Sequence, residues 1–249
     1  EDPVQTLVLL LINYKSSDSE EIKMASQSLK NSIDQYVVKL NQAFMRFHTF
    51  LEAFSGKTAG VGKARKILMD TAFILFYDNA KNGIIVNLDA DTMVHKNYLC
   101  KINKFFKTHN EIEAASIAFY HPIADREKDA ESFHAGLYET HLRYFINMQR
   151  LINLPYAFQT IGSAMAVRAW AYAKEGGMNQ RQAGEDFYFL HKFISKGTLA
   201  EINDTWVVPS SRRSSRVPFG TGKAISDAML SRESERKSYN PDSFIILQN

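Results

Sequence analysis

An α/β fold is predicted by three observations: short β-branched apolar runs ending in polar turns, longer segments whose apolar residues recur every three or four positions, and the alternation of the two. Alternation in that order builds a mainly parallel central sheet flanked by crossover helices. The 249 residues suffice for one large domain or two small ones, and one domain with extensions is expected.

Leu7 to Ile12 is a continuous apolar run, read as a buried strand and closed by the polar turn Asn13-Tyr14-Lys15-Ser16-Ser17-Asp18. Ile22, Ala25, Leu29, Ile33, Val37 and Leu40 then keep helical spacing, with Ser19 or Asp18 available as the cap. Phe44, Phe47, Leu51 and Phe54 would extend that stripe, yet Arg46 to Phe54 reads equally as a strand, the reading adopted here. Gly56 to Gly62 is a glycine-rich loop, and Ala64 to Ala80 is helical through Ile67, Leu68, Ala72, Leu75 and Phe76. Ile84, Ile85, Val86 and Leu88 form a run too short for a helix, hence a buried strand leading into Asp89-Ala90-Asp91.

Beyond it, Tyr98 to Phe106 is helical by spacing, and Ala114 to Phe119 is a strand ended by His121-Pro122. Glu131 to Leu154 reads as a long helix with Phe133, Leu137, His141, Tyr144, Phe145, Met148 and Leu151 on one face. Ile161 to Arg168 is strand-like, and Ala169 to Lys174 is a helix closed by Gly176-Gly177. The loop Met178 to Gly184 delivers Glu185-Asp186 to an aromatic helix, Phe187 to Ile194. Thr205 to Val208 is a last short strand, followed by a basic serine-rich loop carrying Arg212, Arg213 and Arg216.

Composition narrows the function classes. With 45% hydrophobic and 23% charged residues the chain folds as a globular protein, and a net charge of +3 is too small to point to nucleic acid. Cys100 is the only cysteine, so neither a disulfide framework nor a cysteine zinc site exists; a reducing cytoplasm is the expectation. No apolar run approaches the ~20 residues of a membrane span. The seven histidines show no metal-ligand spacing, and Ser163 lacks a nucleophile elbow.

The Asp89-Ala90-Asp91 strand end carries the sharpest chemistry. If the strand continues through it, the two carboxylates project to one side while Ala90 points away. Two converging hard oxygen donors suit Mg²⁺ or Mn²⁺ held together with substrate phosphates. The competing reading is a turn or helix cap after the strand.

Gly62-Lys63-Ala64-Arg65 opening a helix, then Asp89-Ala90-Asp91, then Gly176-Gly177-Met178-Asn179 before Gly184-Glu185-Asp186, is similar in order and spacing to family-two glycosyltransferases of the GT-A fold. The resemblance covers roughly residues 7 to 220, and bacterial members are most similar in Gly60 to Lys66 and Ala183 to Leu190. It implies a GT-A-like, Rossmann-like catalytic domain over residues 1–222 and a helical or irregular extension over 223–249. It implies inverting transfer from a nucleotide-diphosphate sugar to a hydroxyl of a glycan or lipid-linked acceptor, without nucleic acid. The ligand set it implies is Asp91 and Asp89 on the metal, with Asp89, Arg65, Lys63 and Asn13 around the nucleotide and Asp186, or Glu185, as base. Leu7 to Tyr14 fits either the first or the second strand of that family. The second is preferred, which leaves the first strand and its helix outside this chain, as does the start at Glu1-Asp2-Pro3 without methionine. Asn13 and Tyr14 then stand where the family carries an acidic pair.

Arg212, Arg213 and Arg216 suit phosphate oxygens and are read either as a lid over the pyrophosphate or as a solvated basic loop. Tyr138, Tyr144 and Trp170 are acceptor-stacking candidates, and His121 stands beside a strand end as a metal neighbour or a structural histidine. A sugar nucleotidyltransferase and a non-catalytic nucleotide-sugar-binding protein are the rival classes. Contact with the inner face of a membrane stays open, although no basic amphipathic helix supports it.

Overall fold

The computed structural model describes residues 3–41, 43–56, 59–122, 124–181, 184–214, 220–230 and 237–248. The chain forms two compact units, one from Glu1–Ile85, Leu99–Thr108 and Arg168–Glu185, the other from Val86–Tyr98, His109–Val167 and Asp186–Asn249.

The first unit opens with β1 (Thr6–Lys15), α1 (Glu20–Leu40) and β2 (Met45–Phe54). The two strands pair in parallel, Thr6 opposite Met45 through Lys15 opposite Phe54. Ser19 caps α1 by accepting the Ile22 N–H, with Glu20 and Glu21 in the first turn and Lys39 in the last, as the helix dipole favours. The expected strand over Arg46 to Phe54 is therefore present. Its β-branched and aromatic residues pair with β1 instead of extending the helix. Of the helical stripe only Val37 is buried, while Ile22, Leu29 and Leu40 are exposed. Polar side chains take the inner face instead, Asp34 bonding both Lys30 and Thr49 of β2.

Next come α2 (Val61–Asp78), most of α3 (Tyr98–Thr108) and α5 (Ala169–Lys174). Trp170 of α5 meets Phe73 and Tyr77 of α2 at ring distances of 6.0 and 5.7 Å. The Tyr172 hydroxyl donates to Asp70 Oδ1 at 2.6 Å. Gly176 and Gly177 end α5 at φ 73° and 71°, left-handed backbone that glycine adopts without strain. An added Cβ at Gly62 would stand 2.2 Å from the Arg181 carbonyl oxygen. Only glycine lets the start of α2 approach the segment before Glu185 so closely.

The second unit holds most of a five-stranded sheet in the order β3 (Ile84–Asn87), β6 (Met165–Arg168), β5 (Ala114–Phe119), β7 (Leu199–Val208), β4 (Met93–Val94). The α/β class is as expected, but this sheet is mixed: β5 and β7 run parallel, whereas β6 is antiparallel to β5 and β4 to β7. β3 and β4 stand at the two opposite edges of this sheet. The register of β7 shifts between Ile117/Ile202 and Ala118/Trp206, a bulge that bends the strand near its carboxyl end. Ala114, Ala115, Ile117, Ile202 and Val207 form the buried centre of the sheet.

α4 (Ala130–Leu151) covers it, with His134, Ala135, Glu139 and Ile146 buried. The face expected from spacing lies partly elsewhere: Tyr144 and Phe145 meet Phe244 of α8 (Pro241–Gln248) at 6.2 and 5.8 Å, and Leu151 is exposed. α4 thus packs on two sides, burying His134, Ala135, Glu139 and Ile146 on one and presenting Tyr144 and Phe145 to the C-terminal segment on the other. α6 (Glu185–Ile194) buries Phe189, Leu190 and Phe193, and α7 (Thr221–Leu230) packs on α4. Among the described residues no helix is long and apolar enough to cross a membrane.

Candidate active site

The strand carrying the aspartates ends earlier than the sequence suggests. β3 stops at Asn87, Leu88 is exposed, and Thr92 N–H donates to the Asp89 carbonyl at 3.0 Å, so Asp89 to Thr92 is a turn. Strand alternation therefore does not orient the two carboxylates; both lie on the turn that follows the strand. Asp and Asn tolerate such turns where β-branched residues do not, which is the physical reason that the strand breaks here.

Immediately after the turn, Met93 pairs with Val208 and Val94 with Val207. The residues before β4 and those after β7 consequently leave the sheet at one edge. Arg212, four residues beyond Val208, puts Nε 2.6 Å from Asp91 Oδ2. Both side chains are substantially exposed, so the pair stabilises by at most about 1 kcal/mol and exchanges readily for other partners. Arg213 turns instead to Glu131 in the first turn of α4, Nε to Oε1 2.6 Å. Arg216 lies outside the described residues.

Glu185 and Asp186 open α6, as the spacing predicts, and have unlike surroundings. Glu185 is 2% exposed and ion-paired with Arg65, and its carbonyl accepts Asn179 Nδ2 at 3.0 Å. Asp186 is half-buried, and its Oδ1 accepts the Phe187 N–H at 2.8 Å. Lys63 lies over the Phe54 ring at 4.6 Å. Asn13 is exposed on β1, opposite Glu52. The structure thus joins Asp91 to Arg212 in one unit and Arg65 to Glu185 in the other. Among the described residues no group of three or more His, Cys, Asp or Glu is placed to hold a metal ion.

Two clusters escaped the sequence reading. His121 is buried at the end of β5, where its Nδ1 lies 3.0 Å and its backbone N–H 2.6 Å from Glu139 Oε2. Arg143 completes the group by donating to Glu139 Oε1 at 2.8 Å. Burial alone would raise the Glu139 carboxyl pKa, but hydrogen bonds from the His121 ring, Arg143 and the His121 N–H outweigh it and lower the net value. The i, i+4 spacing of Glu139 and Arg143 was visible in the sequence; their long-range partner was not. The second cluster sets His191 between Tyr156, at 4.5 Å, and Phe187, at 3.8 Å. Of the aromatics chosen from sequence, Tyr138 stacks on His141 at 6.4 Å, Tyr144 donates to the Tyr239 carbonyl at 2.8 Å, and Trp170 packs on α2.

The family profile described as glycosyl transferase family group 2 matches residues 84–233, more than half of the chain, and spans the Asp89 turn, Glu185-Asp186 and the arginine loop. No curated protein matches. Among solved structures, similarity extends to glucosyl-3-phosphoglycerate synthase from Mycobacterium tuberculosis, crystallised with Mn²⁺, uridine-diphosphate-glucose and phosphoglyceric acid. The TM-score is 0.43 and the identity 11%, over 80% of this chain and 69% of that one. The strand end bearing Asp89 and Asp91, the acidic start of α6 and the arginine after β7 all fall inside the matched span, and this chain belongs to the glycosyl transferase family group 2.

Proposed function

We propose that this enzyme transfers a sugar from a nucleotide-diphosphate donor to a hydroxyl acceptor with inversion, the acceptor being a glycan or a lipid-linked glycan. The observation that carries the reading is the contact of Arg212 with Asp91 at 2.6 Å. A guanidinium suited to phosphate oxygens lies beside a carboxylate suited to a cation, and a metal-bound pyrophosphate would call on both.

The donor set fits Mg²⁺ or Mn²⁺. Asp89 and Asp91 are hard oxygen donors on one four-residue turn, and such ions commonly take one or two carboxylates, with phosphate oxygens and water completing the shell. When bound there, the cation offsets the negative charge that builds on the departing pyrophosphate. Asp91 and Asp89 would hold it. Arg212, released from Asp91, would turn its guanidinium to a phosphate oxygen, and Arg213 adds positive charge to the same loop. Lys63, Asn13 and Arg65 are the further nucleotide candidates. Arg65 is committed to Glu185, so its contribution is to hold the start of α6 rather than to bind phosphate.

Breaking the anomeric bond also requires that the acceptor hydroxyl lose its proton during attack. Asp186 is assigned this role in preference to Glu185. A carboxylate that is buried and ion-paired is a weak proton acceptor, whereas Asp186 keeps access to solvent.

Calorimetry with UDP and GDP, with and without Mn²⁺, tests the donor half. Nucleotide should bind only with the metal, and Asp91→Ala should abolish that dependence. Asp186→Asn should bind nucleotide like the unmodified protein and lose roughly 10²–10⁴-fold in turnover of UDP- and GDP-sugars. Equal loss of binding in both variants would overturn the division of roles.

A further inference from the structure

Four rings form a continuous array on the second unit at the start of α6. Tyr156 stacks on His191 at 4.5 Å and 13°, His191 meets Phe187 at 3.8 Å, and Phe187 meets Tyr188 edge to face at 5.3 Å. Contacts this close belong ordinarily to a core. Here Tyr156, Phe187 and Tyr188 remain 44%, 42% and 46% exposed. The array is therefore a rigid aromatic surface facing solvent, held in place by the ring at its centre. Burial lowers the His191 pKa and keeps that ring neutral at pH 7. None of the other three carries charge, and neighbouring Lys192 lies over the Phe189 ring at 5.8 Å. Phe187 follows the candidate base in the chain, and its backbone N–H donates to Asp186 Oδ1 at 2.8 Å.

We propose that Tyr156 and Phe187 form the acceptor subsite and that the group it takes is a pyranose ring, stacked by its C–H face. The proposal rests on Asp186 as general base and names the acceptor for that site. A sugar ring has an apolar C–H face and a rim of hydroxyls. A flat, uncharged aromatic surface matches the face and leaves the rim free to reach a neighbouring carboxylate. Proximity to Asp186 would then convert proton removal into a step between prepositioned groups. A small acceptor bearing phosphate would need a cation where these four rings supply none.

Saturation-transfer NMR on this chain with methyl glucoside, galactoside, mannoside and N-acetylglucosaminide tests the proposal without nucleotide or turnover. Saturation should reach the C–H protons of one ring face of at least one of them. Tyr156→Leu, which keeps apolar bulk and loses the flat ring, should weaken binding about three- to tenfold, and Tyr156→Phe should retain it. Phe187→Leu should repeat the loss. No transfer to any of the four sugars, or transfer undiminished in both leucine variants, would overturn the subsite. Because nucleotide binding with Mn²⁺ is measured separately, a chain that binds nucleotide but no pyranoside loses the subsite alone. One that binds pyranoside but no nucleotide loses the transferase reading alone.

Discussion

Glu185 and Asp186 are adjacent in sequence and divided in physical role. An ionised carboxylate as buried as Glu185 is tolerable only with a counter-charge and hydrogen bonds, and Arg65 provides the guanidinium. Removing that partner leaves an uncompensated charge. Arg65→Ala should therefore cost about 3–5 kcal/mol of unfolding free energy in urea, and adding Glu185→Leu to Arg65→Leu should recover much of that loss. The same experiment decides between a structural and a nucleotide-binding arginine. Lost nucleotide affinity at unchanged stability would return Arg65 to the donor pocket. Sequence reading reached both residues through motif position and set Arg65 near the nucleotide; its contact with Glu185, 120 residues away, has no local signature.

At the scale of elements, the approach of α2 to the segment before α6 is what lets Arg65 reach Glu185. Gly62 permits it, since a Cβ there would meet the Arg181 carbonyl oxygen at 2.2 Å and backbone cannot swing aside as a side chain does. Gly62→Ala should destabilise by about 1–3 kcal/mol, read as a lower urea midpoint. Restoring Gly62 in a destabilised Arg65→Ala background should recover less than it does beside an intact ion pair, because the two positions share one packing arrangement. Equal effects in both backgrounds would mean that the glycine acts independently of the pair. Helices and strands were legible because periodicity and capping are local: Ser19 before α1, Gly176-Gly177 after α5 and the run Ala114–Phe119 all stand where expected. Burial was less legible. α4 packs on two neighbours, so Tyr144 and Phe145 serve the C-terminal segment while Glu139 and His134 face inward, an assignment that depends on tertiary contacts absent from any single helix pattern. The aspartate pair was found by its spacing, yet its geometry was misread, since a strand and the turn that ends it share the same residues.

Over the whole chain the two units differ in how their sheets are closed. In the first, β1 pairs with β2 and with no other strand among the described residues. Thr6 N–H donates to the Phe44 carbonyl and Ser16 N–H to the Phe54 carbonyl, each at 2.8 Å, so the even-numbered amides of β1 face β2 and the odd-numbered ones face away. In the second, β5 is bonded on both sides, by β6 and by β7, and its residues are almost entirely inaccessible. Local opening follows the number of such bonds and the apolar surface that protects them. Native-state hydrogen exchange should therefore show Leu7, Leu9, Leu11 and Asn13 exchanging rapidly, Val8, Leu10 and Ile12 more slowly, and Ile117 of β5 last. In low urea the β1–β2 amides should open at a smaller free energy than those of β5 and β7, as a separate cooperative step. Equal protection of odd and even amides in β1 would mean that its outer edge is covered in solution, and such an edge is covered by another strand. Light scattering on the same sample would then distinguish a second copy, which doubles the mass, from a monomer whose edge is closed by its own chain.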